Sequence, residues 1–132
     1  MPRWQKVPIR PHLHLMPPDL PVFPPFLRQT ALDLQESDLR HAQLQNADLR
    51  DADLRRAHLQ QADLTGATLR SARLNWADLT QASLIAADLR NADLSDADLS
   101  GADLREADLR GALLERTALA HAVAGVAIRV TA

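Results

Sequence analysis

Residues 42–61 read AQLQN ADLRD ADLRR AHLQQ, and the period of five in that stretch decides the fold. Leucine stands at Leu44, Leu49, Leu54 and Leu59, each preceded two residues earlier by an alanine, at Ala42, Ala47, Ala52 and Ala57. Outward from there the leucine phase runs unbroken from Leu34 to Leu119, eighteen positions, and the alanine phase from Ala42 to Ala112, fifteen positions. A period of five fits neither regular element. At roughly 100° per residue, five helical steps drift by about 140°, so the leucines would spiral around a helix and form no stripe. On a strand side chains alternate, and an odd step would put successive leucines on opposite faces. Every leucine can point inward only if the backbone turns a corner once per repeat. Four corners close a coil of about twenty residues, and stacked coils pair like parallel strands about 4.8 Å apart. Leucine then fills the middle of each side. Alanine also points inward and is small because the coil is narrow, and the other three positions face water.

Units such as Ala47-Asp48-Leu49-Arg50-Asp51 and Ala102-Asp103-Leu104-Arg105-Glu106 resemble the A(D/N)LXX consensus of the pentapeptide repeat proteins, a likeness that covers about 90 of the 132 residues. The resemblance implies an all-β fold, a right-handed quadrilateral β-helix of about four and a half coils, roughly 22 Å long at that coil spacing. It divides the chain into a Pro-rich N-terminal segment or cap at 1–31, a β-helix at 32–121, and a C-terminal strand at 122–132 that serves as cap or dimer contact. Leu32 and Ser37 stand where later repeats have alanine, so a looser first coil is expected. The family is found mostly in bacteria. Some members resemble B-form DNA in size and charge and bind DNA gyrase.

The remaining composition is mainly exclusionary. There is no cysteine, hence no disulfide framework or thiolate chemistry. No run of about 18 apolar residues exists to span a membrane. Prolines interrupt the N-terminus throughout, so a secretory signal is not expected and a cytoplasmic location is. All eight prolines lie between Pro2 and Pro25, beside Trp4, Phe23 and Phe26. Proline lacks the N–H that a ladder needs. Two readings of this segment stand: a cap over the first coil, or a peptide that docks on a partner. Residues 1–28 carry a net +3 and residues 29–132 a net −5. The alternating Val126, Ile128 and Val130 read as a final strand, which folds over the last coil or meets a second copy in a two-fold homodimer.

Residues twenty apart are predicted to share a column. One face then stacks Arg50, Arg70, Arg90 and Arg110, beside Asp48, Thr68, Asp88 and Asp108. Such a column is either an anion-binding strip or a ladder neutralised by its own aspartates. Eleven of the eighteen slots before leucine are Asp. A short carboxylate there can accept a bond from turn backbone, a structural duty rather than a catalytic one. Trp76 is assigned to a corner, and Ile85 to an outward slot of the least charged face. The aromatic N-terminal segment is expected to pack near one of them, with a partner protein as the alternative. The candidate interaction surface is therefore Arg50, Arg70, Arg90, Arg110, Trp76, Ile85, Phe23 and Phe26. The pair His12 and His14 is weak metal evidence. No catalytic, cofactor or metal site is assigned, and neither a Ser–His–Asp set nor a glycine-rich phosphate loop is present. The expected function is a non-enzymatic scaffold that presents charged ladders to a protein partner, with nucleic acid not expected. The alternative is a DNA mimic that binds gyrase or topoisomerase.

Overall fold

The computed structural model describes residues 32–125. The Pro-rich segment with Phe23 and Phe26, and the final strand expected at Val126–Val130, lie outside the described residues. Within them the chain is a solenoid. Each residue in the slot between alanine and leucine pairs in parallel with the residue twenty positions on, from Asp33↔Asp53 and Asp38↔His58 to Asp98↔Ala118 and Asp103↔Val123. Pairing reaches one residue per side and then stops, because the next two residues turn. The expected strands are thus reduced to single bridges.

The corner has one repeating form. The alanine N–H donates to the leucine carbonyl three residues back, as in Ala62 to Leu59 at 3.0 Å and Ala82 to Leu79 at 3.0 Å. The residue before each alanine has φ near +60°, at every fifth position from Glu36 to His121. Positive φ at the third turn residue marks a type II turn, which favours glycine and asparagine. Gly66, Gly101 and Gly111 meet that demand, as do Asn46 and Asn91.

Four of the five N–H groups in a repeat are bonded by backbone alone. Leu64 donates to Ser83 at 2.7 Å, the corner Gly66 to Ile85 at 2.8 Å, Ala67 to Leu64 at 2.9 Å, and Thr68 back to Ala47 at 2.9 Å. The fifth N–H follows leucine and has no carbonyl. It is met by the aspartate two residues earlier, as in Thr65 to Asp63 Oδ1 at 3.0 Å, Thr80 to Asp78 Oδ1 at 3.0 Å and Ser100 to Asp98 Oδ1 at 3.0 Å. Every Asp of the A-D-L units accepts this bond, which accounts for the residue's dominance in that slot.

Leucine and alanine fill the interior, and Leu54 through Leu99 are fully buried with Ala47 through Ala107 between them. The looser first coil is not found. Leu32 is only 4% exposed and Ser37 6%, so the larger leucine and the serine hydroxyl are both accommodated. Inward exposure rises at the other end of the described residues, where Leu119 is 45% exposed.

Candidate interaction surface

The register places Arg50, Arg70, Arg90 and Arg110 in one column. Their neighbours Asp48, Thr68, Asp88 and Asp108 are bridged in series, and the corner N–H groups of Asp51, Ser71 and Asn91 donate to the carbonyls of Arg70, Arg90 and Arg110. The column is a neutralised ladder. Arg50 is bonded to Asp48 through Nε at 2.8 Å and Nη2 at 2.8 Å. Arg90 binds Asp88 at 2.9 and 2.7 Å, and Arg110 binds Asp108 at 2.9 and 2.6 Å. Thr68 offers Arg70 no carboxylate, so Arg70 reaches to the next coil and shares Asp88 at 3.2 Å.

The local rule is simple. In an Asp-Leu-Arg triplet the leucine points inward while its two neighbours project from the same side, and the guanidinium grips the carboxylate with two N–H groups. Arg40, Arg55 and Arg105 obey it as well. These pairs are partly solvated, so each adds little to stability. Their mark is electrostatic. The Arg40 guanidinium holds the Asp38 carboxyl down from its ordinary 3.8 to about 2, against the opposing pull of desolvation. Asp38 thus favours the folded state above its ordinary value, and that contribution fades as pH falls towards 2. Arg40→Ala is expected to return the Asp38 midpoint towards 3.8, read from its carboxyl carbon in an NMR titration. A midpoint unmoved by the substitution would refute the pairing.

Trp76 occupies a corner with φ +60° and is 52% exposed. The guanidinium carbon of Arg56, one coil away in the same corner column, lies 5.2 Å from its ring centroid. Ile85 is half-buried rather than an open apolar knob. Phe23, Phe26 and the expected packing of the N-terminal segment lie outside the described residues. Sequence reasoning missed Arg56 and Arg73. The available signal was that neither follows an aspartate by two positions.

Towards the C-terminal end of the described residues is an apolar concavity of about 160 Å³ lined by Leu99, Leu104, Leu109, Leu114, Leu119, Ala122 and Ala124. Among the described residues no cluster of His, Cys, Asp or Glu is arranged to hold a metal, and no helix is long and apolar enough to cross a membrane.

Comparison with known proteins follows the same geometry. The family model described as pentapeptide repeats matches at residues 33–70, 47–84 and 72–111. A solved pentapeptide repeat protein from the cyanobacterium Cyanothece 51142 is 36% identical over 76% of this chain and 69% of that one, with a TM-score of 0.70. Another, from Nostoc Pcc 7120, is 32% identical over 80% of this chain and 90% of that one, with a TM-score of 0.47. A plasmid-mediated fluoroquinolone resistance protein is 17% identical over 68% of this chain and 61% of that one, with a TM-score of 0.30. Comparison with curated proteins finds no match. The family model spans more than half of the sequence and agrees with the corner, ladder and core described above, so the chain belongs to the pentapeptide repeat family.

Proposed function

We propose that the chain is a right-handed quadrilateral β-helix of about four and a half coils that works as a rigid protein–protein interaction scaffold. As a pentapeptide repeat protein it is not an enzyme. One observation carries the scaffold reading. Inward positions from Leu39 to Leu109 are leucine or alanine, all buried, so specificity falls to side chains held outward in fixed columns. Repeat solenoids use such extended surfaces for binding.

The test is capture of partners from the native host, with the full chain and with residues 1–28 deleted. A specific protein retained by both is the expected result, since the described columns lie beyond residue 28. Loss on deletion would assign binding to the Pro-rich segment instead, and no specific capture by either would sink the scaffold reading. Light scattering on the same samples reports whether a second copy is one of the partners.

A second reading, mimicry of DNA towards gyrase or topoisomerase, draws support from charge. Between Leu32 and Gly125 there are sixteen acids against ten arginines, a net of −6. Asp63, Asp78 and Asp98 take their described hydrogen bonds from Gln, Thr or Ser groups rather than from arginine. The ladders oppose it, since arginine cancels much of the acid along the Arg50–Arg110 column. Inhibition of gyrase supercoiling by the pure protein would promote this second reading over the first.

A further inference from the structure

Ten arginines lie between Leu32 and Gly125, and eight of them are held by an aspartate within 3.2 Å. The two exceptions, Arg56 and Arg73, flank the same residue, Trp76. Arg56 is one coil below it in the corner column, and Arg73 precedes it by three residues, on the side that leads into the Trp76 corner. Arg73 has aspartates above and below in its own column, but both are engaged. Asp53 is gripped by Arg55 at 2.8 and 2.7 Å, and Asp93 takes hydrogen bonds from Asn75 and Ser95. The next acid in the corner column, Asp96, is held by Arg116 at 2.7 and 2.9 Å.

The fold does not ask for tryptophan here. The corner has φ +60°, a region that suits glycine and asparagine and disfavours bulky side chains. The Trp76 N–H reaches the Ser95 carbonyl at 3.3 Å, whereas the equivalent bonds at Arg56 and Asp96 are 3.0 and 2.9 Å. The indole covers no core and stays half open to solvent. Its one described contact is the Arg56 guanidinium, which lies over the ring and has no acidic partner among the described residues.

We propose that Trp76, Arg56 and Arg73 form a docking patch for an acidic segment of a partner protein, with carboxylates on the two guanidiniums and an apolar side chain over the indole. This rests on the scaffold reading and names its surface and partner chemistry. Tryptophan and arginine are the residues most enriched among interface hot spots. A nucleic acid is the poorer fit. It needs a run of cationic contacts, and the patch supplies only two guanidiniums. A short acidic peptide places few charges, and only at the patch.

The test uses fluorescence anisotropy of a labelled synthetic peptide alternating glutamate and leucine, titrated with the full-length protein. The expected result is saturable binding, weakened about tenfold by Arg73→Ala and abolished by Trp76→Asn. Asparagine suits the corner, so Trp76→Asn is also expected to leave the unfolding temperature equal or higher, which separates lost binding from lost fold. The proposal is overturned by any of three outcomes: no saturable binding, equal binding by a lysine–leucine peptide, or binding unaffected by both substitutions. A labelled DNA duplex that binds more tightly, and loses binding with the same substitutions, would also overturn it by making the patch a phosphate site. Host capture repeated with Trp76→Asn separates the two readings. A captured partner that survives the substitution leaves the scaffold standing and removes this patch from it.

Discussion

Leu79→Ala is expected to lower the free energy of unfolding by about 2–5 kcal/mol, the range for deleting a fully buried leucine. Leu79 is completely buried and its N–H donates to the Asp98 carbonyl at 2.7 Å, so its side is pinned to the next coil. The surrounding leucines are held in fixed rows by that ladder and have little freedom to collapse into the gap. In a solenoid a central repeat contributes to two interfaces, so both neighbouring coils feel the cavity. The same substitution at Leu119, which is 45% exposed, removes less buried surface and is expected to cost less than about 1.5 kcal/mol. Urea denaturation of the two variants decides it, through the shift in midpoint at constant slope. Equal losses at the two sites would contradict the burial gradient from the centre to the C-terminal end.

Ser83→Pro acts on the ladder rather than the core. The Ser83 N–H donates to the Ala62 carbonyl at 2.9 Å, and Ser83 bridges both Asp63 and Asp103. Proline deletes that donor and sets its ring where the preceding coil must approach. An orphaned buried acceptor costs about 1–3 kcal/mol, and the steric misfit raises the total to about 3 kcal/mol or more. A fall in unfolding temperature on the order of 10 °C follows, measured by circular dichroism. Ser83→Ala is the control. It loses only the hydroxyl contact with Thr65 at 2.9 Å, with an expected cost of roughly 0.5–1.5 kcal/mol. A proline variant as stable as the alanine variant would mean that single bridges do not hold the coils together.

Both expectations depend on a feature legible in the sequence, the inward leucine and alanine phases. The turn chemistry was also legible, though not its reach. Asp was expected to serve turn backbone, and every A-D-L aspartate accepts the one N–H per repeat that backbone cannot satisfy. The columns were legible once a coil of twenty residues was inferred, and the bridges follow that offset without exception from Asp33↔Asp53 to Asp103↔Val123. The looser end was misassigned. Leu32 and Ser37 break the alanine rule yet are buried.

Most of the interaction surface was less legible, for a physical reason. Ile85 was assigned to an outward slot, and how far it is exposed there depends on its neighbours in the stacked coils, which leave it half-buried. The Arg column drew attention as a repeated charge, and it is a part of the surface where aspartates of the same or the next coil cancel the charge. The two arginines with no ion pair among the described residues, Arg56 and Arg73, both lie outside the motif.

The sequence by itself determined the period, the inward residues and the corners, because these are relations within five residues or their repetition. Only the tertiary structure decided which charges remain available. Arg73 is flanked in its column by two aspartates and makes no direct ion pair with either, although Asp53 feels its charge, since Asp53 is gripped by Arg55 and Asp93 by Asn75 and Ser95. Arg56 meets Trp76 across a twenty-residue gap in the chain. Such outcomes depend on competition among side chains brought together by coil stacking, and no local pattern ranks the competitors.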